Sequence, residues 1–345
     1  MATASYSDSG TGRRDQESLD EVADTYGARF GDSERPMTGT AVRPSWAQLP
    51  ATLRDGLNVR LGPIRHTQVQ GGGFTPGLAA RVLLADGRRA FVKGIRADHV
   101  LADQYRAEAR VAAALPGSVP APALWWSQEF AGWVVLVFDD AAGCHANPSP
   151  GSADVPRVVS MVAGLAAALT PCPAQVPAAE DELAAFVHGW AELAAAPPAD
   201  LDGWARRHLT KLARTETEWL AAAKGDTLLH GDISASNMLV TPERVLLVDW
   251  AQTIRGAAWL DITDLIPHLV LAGHTPQAAE ALVTDALNTA GADQEMVTSY
   301  AVAFAGYWAR VSRLPAPPGV PHLRGYQARA ADAALRWVRH CTKWE

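Results

Sequence analysis

The sequence predicts an α+β protein with a small β-rich N-terminal lobe and a larger, mainly helical C-terminal lobe. Two observations predict this division. Short runs of β-forming residues, separated by Gly, Asp-Gly and Pro-rich turns, are concentrated between about residues 65 and 138. Beyond about residue 145 the chain is rich in Ala with apolar residues at helical spacing, apart from two strand-like runs at 238–240 and 245–248.

The composition indicates a globular protein and argues against several classes. The chain has 345 residues, 48% of them hydrophobic and 19% charged, so it can bury a large core. Its 30 Lys and Arg against 37 Asp and Glu form no basic run, which argues against a nucleic-acid partner. The sequence lacks an apolar stretch of about 18 residues and a secretory apolar core, so we expect a cytoplasmic protein without a membrane partner. Three cysteines without a CxxC pair indicate reduced thiols.

The chain divides into four predicted segments. Residues 1–40 are poor in large apolar groups and are expected to form a flexible tail, in which 19–30 has helical spacing. Residues 41–138 form the N-terminal lobe, 139–143 a hinge, and 144–345 the C-terminal lobe. The sequence leaves the oligomeric state open.

The N-terminal lobe is expected to alternate strands and turns around one helix. The Asp86-Gly87 pair separates two β-rich runs and predicts a hairpin, because both turn residues tolerate positive φ. A helix is expected over 97–115, where apolar residues recur at helical spacing before Pro116-Gly117. The predicted strands are 67–70, 78–85, 88–95, 124–126 and 133–138.

The most informative motif is His230-Gly231-Asp232, with Asn237 and Asp249 further along the chain. It places two acids and an amide on loops at the ends of short apolar strands. Hard oxygen ligands of this kind hold a divalent cation while a third group orients a hydroxyl. Alternatively, the two acids are surface carboxylates and Asn237 is a cap, but the joint occurrence of all these elements argues against that interpretation.

These residues resemble the aminoglycoside phosphotransferase family, relatives of the protein kinases, whose signature is H-G-D-x-x-x-x-N followed by D-W after a hairpin. The resemblance implies a two-lobed protein-kinase-like fold that binds a purine nucleotide in its cleft. It implies that Asp232 is the catalytic residue that orients or deprotonates the acceptor hydroxyl. Asn237 and Asp249 would bind Mg²⁺ on the phosphates of ATP or GTP, and His230 would fix the loop.

A lysine and a glutamate upstream match the same family. Lys93 lies in a predicted strand and Glu108 in the following helix, 15 positions later. The resemblance implies that Glu108 holds Lys93 against the nucleotide phosphates. Arg106 or Arg110 could pair with Glu108 instead, but the downstream motif favours Lys93.

Two further segments are assigned to nucleotide binding by the resemblance. Gly71, Gly72 and Gly73 begin the loop expected to cover the nucleotide, because glycine allows close approach of the backbone to phosphate. Taken alone, this loop is equally consistent with a flexible linker. Phe138, Asp139 and Asp140 fall where the family has its interlobe hinge, whose backbone groups bind the purine. An edge strand that ends in a turn is the alternative.

The segment after Asp249 bears on regulation and substrate. Asp261 follows only 12 positions later and is expected to cap a helix and brace the catalytic loop. This leaves no room for a long activation segment, and Gly231 stands where a protein kinase has the arginine that reads its phosphate. We therefore expect a small-molecule substrate and no control by activation-loop phosphorylation.

The sequence thus predicts an enzyme that moves the γ-phosphoryl group of ATP or GTP to a hydroxyl of a small molecule, with antibiotics among the candidates. A housekeeping kinase for a sugar, amino alcohol or amino acid is the alternative on the same fold. A non-catalytic nucleotide-binding module is disfavoured, because all five motif residues are present. Substrate contacts are expected from 177–204 and the C-terminus. There, Glu180–Glu182 could meet a cationic substrate or form a solvated helix start.

Overall fold

An antiparallel five-stranded sheet forms the framework of the N-terminal lobe in the computed structural model, which describes residues 41–345. The predicted tail, with its candidate helix at 19–30, lies outside the described residues. The strands are β1 (Ile64–Val69), β2 (Leu78–Leu84), β3 (Arg89–Arg96), β4 (Leu124–Phe130) and β5 (Trp133–Asp139). Their order in the sheet is β1-β2-β3-β5-β4, so β5 is an internal strand.

The two faces of the sheet pack against different helices. Helix α1 (Ala51–Leu61) buries Leu53, Leu57 and Leu61 against one face. Helix α2 (Ala102–Ala114) covers the other face. Because successive side chains of a strand point to opposite faces, β5 sends alternate residues into the two cores and is buried on both sides.

The predicted N-terminal elements are present, with two differences. The helix expected over 97–115 begins only at Ala102, since 97–101 form a turn after β3. Helix α1 was not predicted, although its three buried leucines recur every four residues, which is helical spacing.

The C-terminal lobe is mainly helical, as expected. Its helices are α3 (Asp154–Leu169), α4 (Ala179–Glu182), α5 (Gly189–Ala195), α6 (Gly203–Thr215), α7 (Trp259–Leu271), α8 (Pro276–Thr289), α9 (Gln294–Val311) and α10 (Leu323–Thr342). Helix α7 lies between α8 and α10, and α9 packs along α10. Trp190, Trp219 and Trp337 are fully buried in this core. None of the helices within 41–345 combines the length and apolarity needed to cross a bilayer.

Short strands hold the loops that carry the motif. They are β6 (Cys144–His145), β7 (Thr227–Leu229), β8 (Met238–Val240), β9 (Val245–Leu247) and β10 (Ile254–Gly256). Strand β7 pairs with β10, and β8 pairs with both β6 and β9. The loop from 230 to 237 therefore starts at the end of β7 and finishes at β8, while Asp249 follows β9. These pairings bring Asp232 and Asp249 to the same edge of the lobe.

Candidate active site

The loop that carries Asp232 is fixed from below by helix α7. The buried carboxylate of Asp261 accepts hydrogen bonds from the backbone N–H of His230 at 2.7 Å and of Gly231 at 3.1 Å. Gly231 has φ of +73°, and a Cβ there would lie 2.3 Å from the carbonyl oxygen of Gln252. The position therefore requires glycine for local steric reasons.

The expected brace is present, but its place in the helix differs from the prediction. Asp261 is the third residue of α7, and Ala258 occupies the N-cap position. The carboxylate binds backbone amides 30 and 31 residues upstream instead of those of its own helix. Burial raises its pKa to about 6, while the two hydrogen bonds act in the opposite direction.

We predict that Asp261→Ala lowers the free energy of unfolding by about 2 kcal/mol, because it leaves two buried N–H groups without a charged acceptor. Turnover should also fall, since the loop loses its anchor. Urea unfolding and kcat measure the two effects. Asp285→Ala, which removes an exposed carboxylate from α8, is the control and should leave both quantities unchanged. An Asp261→Ala variant with wild-type stability would contradict the prediction.

The side-chain contacts of His230 are with neighbouring parts of the protein, which indicates a structural role. Its side chain is fully buried, its Nε2 lies 3.0 Å from the carbonyl oxygen of Val248, and its Nδ1 accepts the N–H of Asp232 at 3.3 Å. Its ring meets the ring of Trp250 edge to face. Burial lowers its pKa to about 4. The imidazole is therefore neutral at pH 7 and links the loop that carries Asp232 to the residue between β9 and Asp249.

Asp232 is exposed to solvent, and Asn237 lies beside it. The Asn237 Nδ2 donates to Asp232 Oδ2 at 2.8 Å and to the Asp232 carbonyl oxygen at 2.9 Å. The other carboxylate oxygen, Oδ1, is left for a ligand. Desolvation by the surrounding cleft raises the pKa of Asp232 to about 6, and the charge of Asp249 adds to this effect.

The predicted ion pair between Lys93 and Glu108 is present, and it extends across the cleft. Lys93 Nζ lies 2.7 Å from Glu108 Oε2 and 2.6 Å from Asp249 Oδ1. Arg106, the rival partner, instead pairs with Asp103 and Glu129. Strand β3, helix α2 and the loop after β9 thus meet at one ammonium group.

In the triad of Lys93, Glu108 and Asp249, ion pairing opposes the effect of burial on the pKa of each residue. Burial alone would lower the pKa of Lys93, but the charges of Asp249 and Glu108 outweigh it and raise the pKa. Burial raises the pKa of Glu108 to about 7, even though Lys93 acts against the shift. Burial would likewise raise the pKa of Asp249, yet Lys93 lowers it below the ordinary value. Asp249 is therefore an anion at neutral pH.

Asp249 and Asn237 are the two residues beside Lys93 and Asp232 whose side-chain oxygens could bind a cation. Asp249 has φ of +66°, which is unusual for a residue other than glycine and typical of functional sites. The Asn237 amide uses Nδ2 for both of its hydrogen bonds to Asp232, so its oxygen is directed elsewhere. Within 41–345, no three His, Cys, Asp or Glu side chains form a metal cluster. A two-ligand set fits Mg²⁺, which commonly keeps waters and shares substrate phosphates.

The glycine-rich loop connects β1 and β2 above these residues. Gly71 is exposed, whereas Gly72 and Gly73 have φ of +84° and +68°. At the far end of the loop, a Cβ on Gly77 would lie 2.2 Å from the Tyr105 hydroxyl, so this position also requires glycine. The end of the loop at Gly77 therefore packs directly against Tyr105 of α2.

The predicted hinge continues an internal strand. Phe138 and Asp139 pair with Phe91 and Ala90 of β3, so the edge-strand alternative is wrong. The Asp139 carboxylate accepts the indole N–H of Trp125 at 2.6 Å. The buried Asp140 carboxylate lies 3.0 Å from Arg81 and 2.5 Å from Arg89. Both acids are thus occupied by protein partners, which leaves backbone groups for any contact with a purine.

Aromatic rings border Asp232 on the side of the C-terminal helices. The ring of Tyr326 on α10 lies 5.2 Å from Phe74 of the glycine-rich loop and 5.7 Å from Trp308 on α9. Burial raises the pKa of Tyr326, and the nearby charge of Asp232 adds to the shift. By contrast, 180–182 form the first turn of α4, and two of these acids are exposed, as in the solvated-helix alternative.

A buried hydrogen bond behind the loop predicts a pH-dependent stability. Tyr300 donates to Asp264 Oδ1 at 2.5 Å, and burial raises the pKa of Asp264 to about 8. An unfolded aspartate titrates near about 3.9. Between these values the folded state binds the additional proton, so this group makes stability fall as the pH rises.

We therefore predict that Asp264→Asn gains stability relative to wild type as the pH increases from 5 to 8. Asparagine keeps an acceptor for Tyr300 but does not ionise. Urea unfolding at the two pH values measures the difference, with Asp285→Asn, at an exposed position of α8, as the control. An equal difference at both pH values would contradict the assignment.

The fold and the arrangement of these residues define a class. A five-stranded sheet with a lysine held by a helix glutamate faces a helical lobe whose loops carry an Asp, an Asn and a second Asp. This is the architecture of kinase-like phosphotransferases. The family model described as the phosphotransferase enzyme family, APH, matches residues 74–297, more than half of the chain. The chain belongs to this family, which confirms the resemblance inferred from the motifs.

Solved structures share this fold. Spectinomycin phosphotransferase APH(9)-Ia, in complex with ADP and spectinomycin, aligns with a TM-score of 0.58 at 13% identity, over 82% of this chain and 96% of that chain. An aminoglycoside phosphotransferase from Alicyclobacillus acidocaldarius subsp. acidocaldarius aligns with 0.56 at 14%, over 81% and 92%. A choline/ethanolamine kinase family protein from Mesorhizobium loti aligns with 0.55 at 17%, over 84% and 96%. Among curated proteins, no sequence matches this one.

Most of the predicted site residues come together. Lys93, Glu108, Asp249, Asn237 and Asp232 occupy one cleft, with the glycine-rich loop on its other side. Sequence reasoning missed Tyr326 and Arg43, which reach the cleft from 94 residues after Asp232 and 50 residues before Lys93. No local pattern marks either residue, because each acts through a contact between distant segments.

Proposed function

We propose that the protein transfers the γ-phosphoryl group of ATP or GTP to a hydroxyl group of a small molecule. The observation that carries the proposal is the ammonium group of Lys93, held by Glu108 and Asp249 across the cleft from Asp232 and Asn237. In enzymes that transfer phosphoryl groups, a cationic side chain commonly positions the phosphates and a carboxylate orients the acceptor hydroxyl.

Each residue then has a defined task. Asn237 Nδ2 fixes the Asp232 carboxylate through Oδ2, so that Oδ1 orients the acceptor hydroxyl and receives its proton. Lys93 Nζ positions the phosphates, and Glu108 keeps the ammonium in place. Asp249 and Asn237 Oδ1 are the residues that would hold Mg²⁺, which neutralises phosphate charge when bound. The glycine-rich loop covers the phosphates, and backbone groups at 138–140 bind the purine.

The acceptor is expected to enter beside Tyr326, between the glycine-rich loop and helices α9 and α10. The shared fold is what supports our proposal for its class. The fold is shared with an antibiotic phosphotransferase and with a choline/ethanolamine kinase family protein. An antibiotic that is inactivated by O-phosphorylation, for resistance or self-protection, is our first candidate. A sugar, amino alcohol or amino acid is the second.

A mass-shift screen tests the proposal. The protein is incubated with Mg²⁺ and either ATP or GTP, together with hydroxylated antibiotics and metabolites, and each product is examined for one added phosphoryl group. We expect an acceptor to gain this mass with wild type and not with Asp232→Ala. The alternative outcome is that wild type binds the nucleotide, phosphorylates no acceptor and does not hydrolyse the nucleotide. The protein is then a non-catalytic nucleotide-binding module.

A further inference from the structure

The segment at 41–43 lies across the glycine-rich loop and connects it to the C-terminal lobe. The backbone N–H of Ala41 donates to the carbonyl oxygen of Gly73 at 3.0 Å. The next N–H, that of Val42, donates to the carbonyl oxygen of Gly319 at 2.8 Å. The chain therefore crosses the mouth of the cleft just before it delivers the side chain of Arg43.

The guanidinium of Arg43 reaches both ends of the glycine-rich loop. One terminal nitrogen, Nη2, donates to the carbonyl oxygen of Gly72 at 3.0 Å, and Nη1 lies 3.5 Å from that of Gly77. A Cβ on Gly73 would lie only 3.2 Å from Nη2, so glycine at this position leaves space for the guanidinium. The Nε–H is buried and has no hydrogen-bond partner within 41–345. A donor in this state is costly unless a ligand pairs with it.

The charge of the cleft calls for a second cation. The ammonium group of Lys93 already makes close ion pairs with Glu108 and Asp249, and Asp232 adds a third carboxylate to the same site. A nucleotide triphosphate brings further negative charge into the same space. A guanidinium with donors in a planar fork also matches the geometry of phosphate oxygens.

We propose that Arg43 binds the phosphates of the nucleotide as a second cation beside Lys93, with its Nε–H and remaining terminal N–H groups on phosphate oxygens. Nη2 at the same time holds the loop through the carbonyl oxygen of Gly72. The segment at 41–43 then acts as a strap that closes the glycine-rich loop over a triphosphate. This inference rests on the proposed function, because it takes a purine nucleotide as the ligand.

Calorimetry on the full chain with Mg²⁺ tests the proposal. The titrants are ATP or GTP, whichever wild type binds more tightly, and the corresponding nucleoside, which has no phosphate. We expect Arg43→Ala to raise the Kd for the triphosphate about tenfold or more, because it removes charge-assisted hydrogen bonds to the phosphates. The Kd for the nucleoside should stay unchanged. Arg96→Ala, which removes a guanidinium from an exposed pair with Asp98 on the same lobe, should bind both like wild type.

Two further variants keep the test decisive. Arg43→Gln retains a donor for Gly72 without the charge, so it should lose triphosphate affinity even if Arg43→Ala folds poorly. Arg43→Lys should fall between wild type and Arg43→Ala. An equal loss for nucleoside and triphosphate would overturn the proposal and make Arg43 a brace for the loop. Tighter triphosphate binding in Arg43→Gln would also overturn it, because Arg43 would then occupy the phosphate position. If wild type binds neither triphosphate, the proposed function fails as well.

Discussion

Asp232→Ala is expected to lower kcat by about 1000-fold or more while the Kd of the nucleotide changes only a few-fold. General-base catalysis contributes about 100- to 10000-fold to the rate. Within 41–345, Asp232 makes no hydrogen bond or ion pair with Lys93, so its loss should leave the ammonium group that positions the phosphates in place. The Asn237 amide would lose one of its two partners, so a small change in stability is also expected. Steady-state kinetics with the acceptor found in the screen, together with calorimetry, measures both quantities.

Two further variants separate the role of the carboxylate from its place in the loop. Asp232→Asn preserves the shape of the side chain and should lose turnover almost as completely, because an amide does not accept the hydroxyl proton. Glu243→Ala, on the exposed turn between β8 and β9, should behave like wild type. Wild-type phosphorylation by either Asp232 variant would refute the assignment of the base.

Lys93→Met is expected to lower kcat/KM for the nucleotide by about 100-fold or more, since it removes the ammonium group aimed at the phosphates. It also leaves Glu108 and Asp249 without their shared cation, so the protein loses stability. Without Lys93, the pKa of Glu108 rises further above about 7. Folding then requires the carboxyl to keep its proton, and the stability deficit relative to wild type should grow as the pH rises above 7.

A double variant separates catalysis from stability in this triad. Lys93→Met with Glu108→Leu replaces the buried ion pair by apolar groups, which is often neutral or stabilising. We expect it to recover much of the free energy of unfolding at pH 8 and none of the turnover. Recovery of turnover in the double variant would mean that Lys93 serves only to neutralise Glu108.

The sequence predicted those parts of the site that depend on local geometry. Asp232, Asn237 and Asp249 lie on one hairpin and its flanking loop, so their spacing alone constrains how they meet. Lys93 and Glu108 are 15 positions apart on adjacent elements, and the family resemblance, not their spacing alone, predicts the ion pair that the structure shows. The strand-turn-strand pattern around Asp86-Gly87 likewise fixed the hairpin between β2 and β3.

The sequence could not predict contacts that depend on tertiary packing. Asp261 was expected to cap its own helix, because an acid near a helix start commonly does so. Only the packing of α7 under the loop after β7 turns its carboxylate toward His230 and Gly231. No sequence pattern marks Arg43 as a site residue. It lies in an irregular stretch, and its partners are the carbonyl oxygens of Gly72 and Gly77.

The bonds from Asp261 to the catalytic loop also have a consequence for hydrogen exchange. The amides of His230 and Gly231 are held by a buried carboxylate on α7, a helix packed between α8 and α10. His230 is fully buried, so its amide exchanges only when the bond to Asp261 opens, whereas the exposed Gly231 is accessible to smaller local fluctuations. Exchange of the His230 amide should therefore report the separation of α7 from the loop, and the Gly231 amide should exchange faster.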